Sequence, residues 1–153
     1  MKKQAKYQYA THLKSSDYKI MNWKNGRGKT AEIAVAPSGS DFTQGDFLWR
    51  LSSATVSQSG DFSKFAGCDR LITIVGNTKE SLDLKFGGQS HGLGFGDVLR
   101  FSGDDEVSAE LKSKEVLDLG LIFKRDQIRA EMNVIGFKSS ARSFQIEGQT
   151  DRK

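Results

Sequence analysis

The sequence predicts an all-β domain, a sandwich or barrel. Three observations carry that expectation. Apolar and polar residues alternate with period two in several places, glycine and polar clusters separate the runs, and no long stretch keeps the 3.6-residue period of an amphipathic helix.

The alternation is clearest at residues 47–56, where Phe47, Trp49 and Leu51 fall on one side and Leu48, Arg50, Ser52, Ala54 and Val56 on the other. Leu82, Leu84 and Phe86 alternate with Asp83 and Lys85. Val107, Ala109 and Leu111 alternate with Ser108 and Glu110, and Phe144 and Ile146 with Gln145 and Glu147. Further strands are expected at residues 31–36, 71–75, 98–101, 119–124 and 132–137. Turn chemistry lies between them, at Ser38-Gly39-Ser40, Ser59-Gly60-Asp61, Gly76-Asn77, Gly87-Gly88 and Ser102-Gly103-Asp104. Residues 61–65 could form one helical turn capped by Asp61. No repeat, linker or low-complexity segment interrupts the pattern, so the 153 residues read as a single domain.

Composition excludes several function classes. Hydrophobic residues at 37% and charged residues at 27% describe a globular chain able to bury a core without disulfides. The longest apolar runs are about a quarter of the ~20 residues that a spanning helix needs, so no membrane partner is expected. The start carries Lys2, Lys3 and Lys6 but lacks the apolar stretch of an export signal. With Cys68 as the single cysteine, no internal disulfide forms, and a reducing cytoplasm is the expected location. The net charge of +4 resides in those three N-terminal lysines and in the tail from Arg142 onward. The body between them is neutral, so no basic face for nucleic acid is expected.

Several motifs fail on inspection. Gly26-Arg27-Gly28-Lys29-Thr30 ends like a phosphate-binding loop, but Trp23 occupies the position of the leading glycine and a strand follows where a helix is required. Gly92, Gly94 and Gly96 have the wrong spacing for a dinucleotide fingerprint. His12 and His91 stand alone, so neither a metal nor another cofactor is expected. Cys68 reads as a small half-buried residue.

Three stretches are more unusual: W-K-N-G-x-G-x-T-x-E-I at residues 23–33, W-R-x-S-x-A-x-V at 49–56, and F-S-x-F-x-G-x-D-R at 62–70. A fourth, F-x-G-D, stands at 101–104. In order and spacing they resemble the HutD/Ves family over residues 20 to 125. The resemblance implies a cupin-like (RmlC-like jelly-roll) barrel, built as two small β-barrels packed in one compact unit. It also implies a link to histidine utilisation, where HutD-type proteins are thought to act as non-enzymatic governors. Ves-type members are described as stress-linked. The chain departs from the family pattern at Arg27, where a glycine is usual, and at Gly120, where an Asn is common; it also looks shorter than typical members.

Candidate ligand-binding residues are Trp23, Lys24, Asn25, Gly26, Glu32 and Arg50. Arg50 sits mid-strand beside the small Ser52 and Ala54, and a guanidinium binds a carboxylate bidentately. It could instead point outward or pair with a structural acid such as Glu32. Trp23 could close a pocket by stacking and Asn25 offers donor and acceptor, or both anchor a packed loop. Lys24 could be solvated. Glu32 could pair with Arg50 or meet a cationic imidazole or formimino group. Asp69-Arg70 reads as a structural ion pair or cap ahead of a ligand contact, Asp104 as a turn residue and His91 as a loop residue.

The expected function is therefore non-enzymatic binding of a small carboxylate metabolite, of the urocanate or formiminoglutamate class, with no catalytic residue. A metal-independent cupin isomerase or lyase is the alternative, with Glu32, Asp69, His91 and a tyrosine as its acid–base candidates. A homodimer stays open.

Overall fold

The computed structural model describes residues 11–23, 26 and 28–136. Its strands are β1 (Lys19–Asn22), β2 (Gly28–Ala36), β3 (Trp49–Val56), β4 (Gly60–Asp61), β5 (Cys68–Ile74), β6 (Ser81–Phe86), β7 (Gln89–Gly94), β8 (Val98–Ser102), β9 (Ser108–Leu111) and β10 (Val116–Lys124). Two sheets form, one ordered β1-β2-β3-β10-β5-β8 and the other β4-β9-β6-β7. All ladders between these strands are antiparallel. The described residues thus build one unit of two facing sheets, all-β and cupin-like.

Alternation explains why the sheets face each other. Ile72, Ile74, Phe101 and Val116 from the larger sheet share a core with Leu82, Leu84, Leu93 and Ala109 from the smaller, joined by Val107. Ile74, Leu82, Leu84 and Val116 are completely buried. Burying a side chain of this kind is worth about 1.5–3 kcal/mol. A second cluster, Phe47, Cys68 and Ile122 with Val35, Phe42 and Phe65 against it, closes the other end of the same interior.

Several expectations need correction. Residues 61–65 form no helical turn: Asp61 ends β4, Phe62 donates its N–H to Val107 O at 2.8 Å, and Phe65 donates to Gly103 O at 2.7 Å. Pairing with the segment around Gly103 and Val107 outcompetes one isolated turn, whose nucleation is costly. Residues 132–136 lie in no strand, and the expected strand around Phe144 and Ile146 falls outside the described residues. His91 is on β7 and not in a loop, stacked on Phe86 with centroids 4.4 Å apart. That strand escapes pattern reading because three of its residues are Ser90, Gly92 and Gly94. Two short 3-10 turns, Ser15–Asp17 and Phe42–Gln44, were also not foreseen.

Candidate functional site

The interior face of the larger sheet carries an unusual polar row. Residues opposite one another in a ladder share a face. The registers Val35↔Arg50, Arg50↔Ile122, Ile122↔Arg70 and Arg70↔Phe101 therefore put two arginines on the face that also carries core residues. The adjacent row is Glu32, Ser52, Gly120, Ile72 and Leu99, and the next contains Asp118 and Ile74.

Glu32 reaches this face through a bulge. The β2–β3 register shifts between Glu32 and Ala34, so that Glu32 opposes Ser52 while Val35 opposes Arg50. Strict alternation would have put Glu32 and Val35 on opposite faces; the extra residue turns both inward. Glu32 Oε2 then accepts from Arg50 Nε at 2.7 Å, with side chains only 11% and 5% exposed. Phe42 covers the guanidinium face, its ring centroid 4.0 Å from Cζ. The ring is held there by the 3-10 turn, whose Asp41 accepts from Thr43 N and Thr43 Oγ1. Nη2 of Arg50 is buried with no hydrogen-bond partner. An unmet donor of a charged group in a protein interior is expensive, and marks a position where an acceptor is wanted.

Arg70 is half-buried and lies over Phe62, Phe65 and Phe101 at 4.8, 5.4 and 5.2 Å, with Nη1 donating to Ser63 O at 3.1 Å. Burial lowers its pKa to about 10; the nearby Asp118 charge opposes that shift and the Arg50 charge adds to it. Asp118 is 6% exposed. The β3–β10 ladder pairs Leu117 with Thr55 and resumes at Gly120 with Ser52. Across the gap Asp118 Oδ1 accepts Ala54 N–H at 2.9 Å and the Ser53 hydroxyl donates to Asp118 O at 2.6 Å. Burial pushes the Asp118 carboxyl up to about 6, restrained by the Ala54 N–H and by the Arg70 charge.

The residues singled out in the sequence divide. Arg50 and Glu32 are brought together. Trp23 stands at the far end of β2, where Nε1 donates to Thr30 Oγ1 at 2.8 Å and the ring packs over Gly28. A Cβ on Gly28 would lie 2.5 Å from Thr55 O and 3.0 Å from the indole, so glycine is required for this packing. Gly26 is exposed, with φ 68°. Lys24 and Asn25 lie outside the described residues, as does Arg27.

Asp69 and Arg70 do not pair, because neighbours in a strand point to opposite faces. Asp69 instead binds Arg100 and Arg125, the latter also reaching Asp104 and Cys68 O. Asp104 accepts from Gly67 N as well, which fits its expected turn role. Arg70, for which the sequence ranks a ligand contact behind a structural ion pair or cap, and Asp118 are not among the candidate ligand-binding residues; parity with Ile72 and Gly120 places them on this face, and parity has no meaning until strands are paired. Among the described residues no group of three or more His, Cys, Asp or Glu converges as metal ligands. A surface hollow of about 460 Å³, lined by Asp61, Phe62, Lys64, Glu106, Val107 and Ser108, touches this region through Phe62, the ring beneath Arg70.

Comparison with known proteins agrees with this architecture. An uncharacterised 21.2 kDa protein from the hutC 3′ region of Pseudomonas putida is 39% identical over 121 residues, 78% of this chain and 61% of that protein. Protein Ves of Citrobacter koseri is 33% identical over 113 residues, 73% of this chain and 56% of the relative. The structure of HutD from Pseudomonas fluorescens superposes with a TM-score of 0.65 at 36% identity, over 74% of this chain and 60% of that one. KdgF from Halomonas, at 11% identity and TM-score 0.56 over 75% of this chain and 95% of that one, shares the fold alone. The chain spans about three fifths of the length of the curated relatives it matches. The HutD family profile matches residues 15–151, nearly the whole length, and the chain belongs to the HutD family.

Proposed function

We propose that this chain binds a small carboxylate metabolite in its polar interior, and acts in the cytoplasm as a non-enzymatic regulatory component of histidine utilisation. The observation that carries the binding reading is the Arg50 guanidinium: Glu32 and Phe42 fix its plane, while Nη2 is buried and unmet. A carboxylate is the planar acceptor that fits such an edge. The pathway comes from the relative named for the hutC region. No helix among the described residues is long and apolar enough to cross a membrane.

Thermal unfolding with urocanate, formiminoglutamate, formylglutamate, histidine and formate tests this. A ligand at about 100 times its Kd adds about 2.7 kcal/mol of stability, a midpoint shift of about 5–10 °C at this chain length. One carboxylate should raise the midpoint, and Arg50→Lys, which keeps a charge for Glu32 but loses the planar fork, should remove that rise. No shift with any of them refutes the ligand class.

Asp118 favours a second reading, a metal-independent cupin enzyme. A carboxyl titrating near pH 6 within the field of Arg70 can move a proton at neutral pH. The other acid–base candidates are engaged elsewhere, Glu32 with Arg50, Asp69 with Arg100 and Arg125, and His91 against Phe86. Turnover of any of these metabolites, lost in Asp118→Asn, would establish this reading over the first.

A further inference from the structure

We infer that the ligand of this interior carries two carboxylates, one taken by Arg50 and the other by Arg70. This rests on the carboxylate-binding reading above and narrows it to a class.

The argument begins with register. Arg50 and Arg70 flank the same residue, Ile122, from opposite sides, so both project from one face of the sheet. Two interstrand spacings of about 4.8 Å separate their Cα atoms by about 10 Å, within reach of two long side chains converging on one small molecule.

The donors come next. Arg50 gives Nε to Glu32 and has Nη2 without an acceptor. Arg70 gives Nη1 to a backbone carbonyl, and no carboxylate stands within ion-pair distance of it among the described residues. Aromatic rings occupy the faces of both guanidiniums, and the Phe42 and Phe65 rings touch each other, with centroids 4.9 Å apart. A guanidinium stacks through its face and binds carboxylates through its edge, so the rings leave the binding edges free.

Charge and space agree. Two like charges in one interior repel, and the Arg50 charge contributes to the lowered pKa of Arg70. A single carboxylate relieves one of them; a dicarboxylate relieves both. The neighbouring row offers the small Ser52 and Gly120, and a Cβ on Gly120 would meet nothing closer than 3.9 Å. Asp118 lies four residues along β10 from Ile122 on the same face, and its charge repels carboxylates toward the arginine row.

The test is calorimetric titration of the full chain with glutarate and with butyrate, which differ by one terminal carboxylate, at matched ionic strength. The wild type should bind glutarate at least tenfold more tightly. Arg70→Gln should abolish the preference and bring glutarate to the level of butyrate. Equal affinity for the two acids in the wild type overturns the inference while preserving the carboxylate reading, and needs no variant to fold. Equal weakening of both acids by Arg70→Gln, in a variant with an intact melting transition, overturns it as well. Binding of neither acid removes both readings together.

Discussion

Replacing Glu32 with Gln leaves the Arg50 guanidinium in the barrel interior without its charged partner. The ion pair is 2.7 Å long with both side chains almost completely excluded from solvent, so water cannot take over. Breaking a buried pair from one side costs about 3–5 kcal/mol, against about 5–15 kcal/mol for the whole stability of a typical domain. With a urea slope of about 2 kcal/mol/M, the unfolding midpoint should fall by about 2 M. Arg50→Met should cost as much, since it strands the carboxylate. The double variant Glu32→Gln/Arg50→Met strands neither charge and should be no less stable than the better single variant. Urea unfolding of all four proteins at pH 7 gives the coupling energy, expected to be at least one full single loss, about 3–5 kcal/mol. Additive losses below about 1 kcal/mol each, the behaviour of a solvated pair, would refute the claim that Glu32 pre-organises Arg50, and with it the basis for a fixed binding edge.

Asp118 should leave a pH signature. Its carboxyl binds a proton more tightly when folded, about 6, than at its ordinary 3.8, so stability from this group falls as pH rises from about 4 through 6. The difference of about two pKa units corresponds to about 3 kcal/mol; Asp118→Asn should flatten that slope in pH-dependent unfolding while its amide oxygen still accepts Ala54 N–H. Gly28→Ala places a methyl 2.5 Å from Thr55 O and should lower stability by more than 1 kcal/mol, whereas Gly120→Ala meets only ordinary contacts and should change it little; paired thermal melts compare them. Cys68 is 2% exposed and burial raises its pKa, so a thiol reagent should label it only at the rate of unfolding, far slower than in denaturant. Rapid labelling of the native chain would contradict the placement of Cys68 in the core.

Much of the fold was legible because its physics is local. Alternation at residues 47–56, 82–86 and 107–111 marks strands wherever they pair, and the turn glycines stop them. Strands such as β7 and β1 were missed because their side chains carry little apolar contrast; backbone pairing to a neighbour makes them strands. The helical turn expected at residues 61–65 was lost for the same reason in reverse, since the N–H groups of Phe62 and Phe65 find carbonyls on a neighbouring segment.

The sequence by itself determined the strand-rich class, the neutral body, the absence of histidine or cysteine clusters, and the motifs that mark the HutD family. It also pointed to Arg50 and Glu32 as residues worth watching. Only the tertiary structure decided that a bulge at residues 32–34 turns Glu32 onto Arg50, that Arg70 stands across Ile122 from Arg50 and not against Asp69, and that Asp118 fills an opening in the β3–β10 ladder. The reason is that side-chain parity is a local property of a strand, whereas register is a relation between strands far apart in the chain. A shift of one residue in either β3 or β5 would turn an arginine onto the opposite face of the sheet, away from the other.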